Sequence, residues 1–264
     1  MSDKVPASEL RFCSVERDGA VATVTLLRPE RLNALHPAAH HELHAVFEDL
    51  AGDRDLRCII LTGTGKAFCA GYDLLDNLET GVMELAETGF AGLTLRASYP
   101  LPLIAAVNGI CMGGGFELAL TCDLIVASEK AVFALPEAKV GWSPVGGGAQ
   151  RLPRAIGDKR AAAMLLTGMN VTAKQGERWG FVNEVTAPED LMAAALCWAD
   201  RIVECAPIAI RCNREVSRES FTMPLSEALD PGRWPAADEV MRSEDAQEGK
   251  RAFAEKRKPV WKNR

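Results

Sequence analysis

Glu117 and Glu137 sit where a carboxylate is expensive. Glu117 falls within Gly-Gly-Gly-Phe-Glu-Leu-Ala-Leu (113–120), and from Ile110 to Ala127 the one other charge is Asp123. Glu137 falls within Phe-Ala-Leu-Pro-Glu-Ala-Lys-Val-Gly (133–141), ahead of Gly146, Gly147 and Gly148. A carboxylate in apolar surroundings is costly unless it is paired, hydrogen-bonded or protonated. Two of them in one chain point to proton transfer. The competing account is structural: each acid could cap a glycine-opened helix or close a buried ion pair.

The elements that must hold these acids can be read from periodicity. Residues 12–17 and 20–27 alternate on either side of Asp18-Gly19 and predict a hairpin. Pro37 opens an amphipathic helix over 37–51, and 57–62 forms a short apolar strand closed by Gly63. Residues 63–99 form a glycine-punctuated loop and helix. A strand at 103–107, a helix at 114–121 and a strand at 124–127 follow, the succession of an α/β core. From about 158 the pattern is mostly helical, over 158–167, 173–179, 188–205, 207–219 and 243–256, with one short strand near 181–185. The α/β core is placed at 1–200 and a helical region at 201–264.

Composition narrows the function. With 264 residues, 48% hydrophobic and 25% charged, the chain can build a substantial core. Its net charge of −6 argues against nucleic acid as the main partner. The opening residues lack the apolar segment of a secretory signal. The longest apolar stretch, 101–127, is broken by Pro102, Gly109 and Gly113 to Gly115, so no membrane span is expected. The expected location is the cytoplasm. Eight cysteines without a Cys-x-x-Cys pair read as reduced core residues. His40 and His44 have a spacing that can bind metal, but His41, Glu42 and Leu43 stand between them, so no glutamate occupies the metalloprotease position. The histidines at 36, 40, 41 and 44 are therefore expected on a solvated helix face, and no metal site is expected. Gly65-Lys66 hints at a phosphate loop, but Ala67 stands where that motif needs Ser or Thr.

Three segments together resemble a known family. They are Leu-Thr-Gly-Thr-Gly-Lys-Ala-Phe-Cys-Ala-Gly-Tyr-Asp-Leu (61–74), Ile-Ala-Ala-Val-Asn-Gly-Ile-Cys-Met-Gly-Gly-Gly-Phe-Glu-Leu-Ala-Leu-Thr-Cys-Asp (104–123), and 133–141 leading to Gln-Arg-Leu-Pro (150–153). Their order and spacing resemble the crotonase, or enoyl-CoA hydratase/isomerase, family. The likeness runs from Arg-Pro-Glu-Arg-Leu-Asn-Ala-Leu (28–35) to the tail at 252–261. It implies an α/β spiral of ββα units with a helical C-terminal trimerisation region. It also implies an acyl-CoA thioester substrate, with coenzyme A part of that substrate and no permanently bound cofactor.

The resemblance places an oxyanion hole at the backbone N–H groups of Tyr72 and Gly114. Such donors, aimed at the charge growing on a thioester oxygen, contribute about 3–4 kcal/mol each. Gly114 opens the predicted helix, where free N–H groups and the dipole favour an anion. Lys66, Ala67, Phe68 and Ala70 are expected along the coenzyme A path, with Ala34, Asp73, Leu74, Gly113 and Trp142 also at the substrate. Cations for the phosphates would come from Arg28, Arg31 and Lys66, or from the tail residues Lys256, Arg257, Lys258 and Lys262. Asp123 is expected to anchor the turn after the helix.

Having both acids points, through the resemblance, to hydration of a 2,3-enoyl thioester and its reversal. Isomerase and hydratase-lyase chemistry on the same scaffold are alternatives, as is an acyl-CoA- or RNA-binding protein. Within the family the finer likeness is to carnitinyl-CoA dehydratases, whose quaternary ammonium substrates would favour aromatic faces such as Tyr72, Phe90 and Trp142. Residues 75–98 are expected to lid the acyl pocket. The apolar set Phe221, Leu225, Leu229, Trp234, Val240, Met241, Phe253 and Trp261 suggests burial against a neighbouring subunit, as a homotrimer or a dimer of trimers.

Overall fold

The computed structural model describes residues 10–264. The opening residues 1–9, expected to carry no secretory signal, lie outside them. β1 (Cys13–Asp18) and β2 (Val21–Leu26) form the hairpin expected at Asp18-Gly19, with Asp18 opposite Val21 and Gly19 at φ +56°. α1 (Pro37–Gly52) follows, its first turn capped by His36, whose Nδ1 accepts the Ala39 N–H at 3.1 Å. It buries Leu43, Val46, Phe47 and Leu50, residues spaced to share one helix face.

Three times the chain then lays down two strands, the first in one sheet and the second in another. The pairs are β3 (Cys58–Gly63) with β4 (Ala67–Cys69), β5 (Leu103–Val107) with β6 (Ile110–Met112), and β7 (Leu124–Ser128) with β8 (Val132–Ala134). After the first pair comes α2 (Leu74–Thr80), and after the second α3 (Gly114–Thr121). After the third come a 3-10 turn at Glu137–Val140 and α4 (Gly148–Ile156). α5 (Asp158–Thr167), β9 (Val171–Thr172), α6 (Ala173–Trp179) and β10 (Glu184–Thr186) complete the sheets.

The larger sheet has the order β1-β2-β3-β5-β7-β10 and the smaller β4-β6-β8-β9. Pairing is parallel except for β1 with β2 and β8 with β9. This is the spiral of stacked ββα units. β3 and β5 are buried along their whole length, as parallel strands covered on both faces should be. Asp123 anchors the turn after α3 as expected: its carboxylate accepts the Leu103 N–H at 2.9 Å.

The chain divides into two compact units between Ala199 and Asp200, a break that falls in α7 (Leu191–Val203). The second unit contains α8 (Pro207–Ser220), α9 (Leu225–Ala228), α10 (Pro235–Arg242) and α11 (Glu244–Glu255). Its tail folds onto this unit. The buried Asp245 accepts N–H bonds from Lys262 and Asn263 at 2.7 and 3.0 Å, and the Trp261 indole donates to the Glu204 carbonyl at 2.9 Å. Among the described residues no helix is long and apolar enough to cross a membrane. All eight cysteines are free; five are buried, whereas Cys197 and Cys205 are exposed and so depart from the core reading.

Candidate active site

The segment after β4 and the start of α3 touch at the backbone. A Cβ on Gly115 would lie 2.1 Å from the Cys69 carbonyl oxygen, so only glycine permits this approach. Gly71, at φ +99°, would place a Cβ 3.2 Å from the Gly114 nitrogen. Tyr72 lies one residue further on, in a parallel bridge to Leu35: the Leu35 N–H donates to the Gly71 carbonyl and the Asp73 N–H to the Leu35 carbonyl, both at 2.9 Å. Strand alternation therefore turns the Tyr72 N–H away from Leu35. Gly114, the first residue of α3, has no intrahelical acceptor for its own N–H. The two expected oxyanion donors thus stand on adjoining segments, and neither meets an acceptor among the described residues.

One turn into α3, Glu117 is 5% exposed. Its Oε1 accepts the Gly148 N–H, at the start of α4, at 2.8 Å. Burial raises its pKa, while the Gly148 N–H, the Arg151 charge and the Gly146 N–H oppose the rise. Glu137 opens the 3-10 turn and is 9% exposed. Its Oε1 lies 3.2 Å from where a Cβ of Gly113 would be, which puts this acid beside the start of α3. Its Oε2 is buried with no partner among the described residues. Burial raises its pKa to about 7, only partly offset by its own backbone N–H and helped by repulsion from Glu117. That repulsion falls on the group that ionises second, so the pair titrates together.

An aromatic row borders the donors. Trp142 meets Tyr72 edge to face at 6.0 Å, Tyr72 stacks on His40 at 5.5 Å, and His40 meets Phe90 at 4.6 Å. The Phe90 ring packs on Gly114, where a Cβ would come within 2.6 Å of it. His40 is fully buried, which overturns its expected place on a solvated helix face. His44 is half-buried and bonds the Thr88 hydroxyl at 2.8 Å, whereas His41 is exposed beside Glu84. The helical period of α1 carried the signal: His40 falls on the buried face with Leu43 and Phe47.

Several residues expected at coenzyme A have structural partners. Arg28 pairs with Asp73 at 3.0 Å and also donates to the Ala34 carbonyl. Asp73 is buried and caps α2 through the Asp76 N–H. Ala67 and Phe68 are fully buried, so they offer a ligand backbone rather than side-chain surface, while Ala34 is 8% exposed. Ala70 donates its N–H to the Leu32 carbonyl at 3.0 Å. Arg31, Lys66 and Leu74 are exposed, and Gly113, at φ +56°, joins β6 to α3. Of the tail cations, Arg257 is held by Glu248 and Glu255, Lys258 lies 3.3 Å from Glu204, and Lys262 lies 3.0 Å from Glu244. Pattern alone missed Gly148 and Arg151, because their roles arise only when α4 closes over Glu117.

Known proteins are similar to this chain over most of their length. The chain is 42% identical over 254 residues to the carnitinyl-CoA dehydratases of Citrobacter koseri and Escherichia coli K12, an overlap covering 94% of this chain and 97% of each of theirs. An enoyl-CoA hydratase structure from Mycobacterium tuberculosis H37Rv superposes with a TM-score of 0.90 at 36% identity, covering 96% of this chain and 99% of that one. The enoyl-CoA hydratase structure from Bacillus anthracis superposes with a TM-score of 0.88 at 34% identity, covering 96% and 100%. Residues 16–264 match the enoyl-CoA hydratase/isomerase family. With the paired strands, the glycine-opened helix and the two buried acids in place, this chain belongs to the enoyl-CoA hydratase/isomerase family, that of the crotonases.

Proposed function

We propose that this protein is an enoyl-CoA hydratase, a hydro-lyase that adds water across the 2,3 double bond of an enoyl-CoA thioester and removes it in reverse. The observation that carries this reading is a pair of coupled, buried carboxylates beside two unengaged backbone N–H groups. Glu117, eased toward ionisation by the Gly148 N–H and Arg151, accepts a proton from water as the water oxygen bonds to C3. Electrons move through the conjugated system onto the thioester oxygen, which the Tyr72 and Gly114 N–H groups hold. Glu137, raised to about 7, delivers its proton to C2. Coenzyme A is bound as part of the substrate, with Lys66 and Arg31 as exposed cations near its path. Residues 75–98 lid the acyl chain.

Crotonyl-CoA tests this directly. The conjugated enoyl absorbance should fall while the product gains the mass of one water. A shift of the double bond without mass gain would identify an isomerase, release of an aldehyde from a suitable substrate a hydratase-lyase, and no reaction a binding protein.

A second reading narrows the substrate to an acyl chain with a quaternary ammonium group. Tyr72 is flanked by the Trp142 and His40 rings, and its hydroxyl accepts the Glu84 N–H at 3.2 Å. An aromatic face favours a cation over a plain alkyl chain, and the 42% identical relatives carry the carnitinyl-CoA dehydratase name. Crotonobetainyl-CoA should then exceed crotonyl-CoA in kcat/KM; the reverse ranking removes this reading.

The protein acts in the cytoplasm as a homotrimer or a dimer of trimers. Support comes from Phe221, Leu225, Leu229, Met241 and Phe253, all exposed on the second unit, although Trp234 of the same set is buried. Light scattering that finds an active monomer would end this assembly model.

A further inference from the structure

We propose that His40 is a positioning residue for the oxyanion hole, holding Phe90 and Tyr72 so that the N–H groups of Gly114 and Tyr72 converge. This rests on the reading of those two groups as the thioester donors. The His40 ring touches both aromatic side chains, Tyr72 at 5.5 Å and Phe90 at 4.6 Å. It stacks on Tyr72 with an interplanar angle of 27° and meets Phe90 at 64°. Phe90 in turn seats its ring on Gly114.

The hydrogen bond defines the mechanism. His40 Nδ1 accepts the Ala91 N–H at 3.1 Å, so the proton of the neutral ring resides on Nε2. Ala91 has φ +52° and ψ +24°, a left-handed conformation that a residue with a Cβ holds only when its surroundings impose it. The bond from His40 is one such constraint, and the Phe90 N–H bond to the Thr94 hydroxyl at 2.9 Å is another. Together they fix the turn that aims Phe90 at Gly114. Nε2 is buried without a partner among the described residues. An unsatisfied buried donor is destabilising, so packing alone would be served better by leucine. Burial also lowers the His40 pKa to about 3, helped by His36 and His41, which keeps Nδ1 available as an acceptor across the working pH range.

Two variants separate the acceptor from the bulk. His40→Leu keeps the volume and loses Nδ1, whereas His40→Asn presents an oxygen where Nδ1 stood. With crotonyl-CoA, His40→Leu should lower kcat about 10–30-fold with KM changed less than about threefold, since misplaced donors are felt in the transition state. His40→Asn should recover kcat to within about threefold of wild type, and Ala91→Gly in the His40→Leu background, which removes the strain that the lost bond opposed, should recover part of it. The second readout is the red shift of a chromophoric, conjugated enoyl-CoA on binding, which reports polarisation of its carbonyl. Wild type and His40→Asn should shift the band, and His40→Leu should shift it much less. An equal shift and an equal kcat in folded His40→Leu would overturn the proposal. If His40→Leu does not fold, a His40→Asn variant as slow as a tenth of wild type with the shift lost would overturn it as well. No red shift in the wild type would instead reject Tyr72 and Gly114 as thioester donors, which is a separate failure.

Discussion

Glu117 and Glu137 occupy surroundings of opposite character. The cradle of Glu117 is rich in donors: the Gly148 N–H at 2.8 Å, the Gly146 backbone and the Arg151 charge. The Arg151 guanidinium is itself fixed by the Thr94 carbonyl at 2.9 Å. Among the described residues, the contribution opposing the rise of Glu137 is its own N–H, and one of its carboxylate oxygens has no partner. Both acids are raised by burial, but only the first is compensated. The difference teaches how two chemically identical side chains can be fitted to the opposite roles proposed for them: an acid solvated by the protein suits a base, and a poorly solvated one holds a proton to deliver.

The largest expected effect comes from removing either role. Glu137→Gln and Glu117→Gln should each lower kcat about 10²–10⁴-fold with thioester binding largely kept, the range for general acid–base groups. Steady-state kinetics with crotonyl-CoA and a direct binding measurement check this. Full activity in either variant breaks the division of labour.

Next in size is a stability effect of the poorly compensated acid, which its glutamine variant isolates. The pKa of Glu137 rises from 4.5 to about 7 on folding. Folding therefore favours the protonated form: its contribution is fully present below 4.5 and is lost as pH rises through about 7. At 1.36 kcal/mol per pH unit the loss is about 3–4 kcal/mol. Glu137→Gln lacks the titration. Relative to wild type the variant should gain that amount between about pH 4.5 and 8, measured by denaturant melts. A parallel pH dependence in the two proteins would show that the site is better solvated than its geometry indicates.

A steric test addresses the Glu117 cradle alone. A Cβ on Gly146 would lie 2.6 Å from Glu117 Oε2. Gly146→Ala should displace the carboxylate from Gly148 and lower kcat about 10-fold, with the Glu137-dependent stability profile unchanged. Wild-type turnover in this variant would mean the cradle has slack that the contact distance does not suggest.

Legibility in the sequence divided along physical lines. α3 begins and ends where its pattern places it, at Gly114 and Thr121, and α5 and α6 do likewise, because long-range packing there agrees with local periodicity. β4, β6 and β8 are three residues each, too short to show alternation, so the whole smaller sheet was hidden within apparent loops. α4 was hidden by its glycine run, since glycine carries no helical pattern. At the site, the two acids stood out because they interrupt apolar runs. For Arg28, a candidate cation, charge alone does not reveal a partner 45 positions away, Asp73. The buried state of His40 was obscured by the exposed histidine next to it.

The smallest expected effect is also the sharpest on the coupling between the two regions. In the proposed mechanism hydration starts with Glu117 ionised and Glu137 protonated, and dehydration with the reverse, so both directions use the singly protonated pair. Activity should be bell-shaped in pH: the acid limb is set by Glu117, raised above its ordinary value, and the basic limb by Glu137 near 7. Repulsion from Glu117 is part of what holds Glu137 up. Replacing Glu117 by Gln removes that negative charge, so the pKa of Glu137 must fall. In the residual activity of Glu117→Gln the acid limb should vanish, and the basic limb should move below about 7. Desolvation, the larger cause, remains, so Glu137 should still titrate above the 4.5 of an ordinary glutamate. A pH profile of the variant, with direct titration of the Glu137 carboxyl by NMR, measures both. A basic limb that stays in place would show that the acids do not sense each other, and one that drops to an ordinary carboxylate value would show that repulsion rather than burial tunes the proton donor.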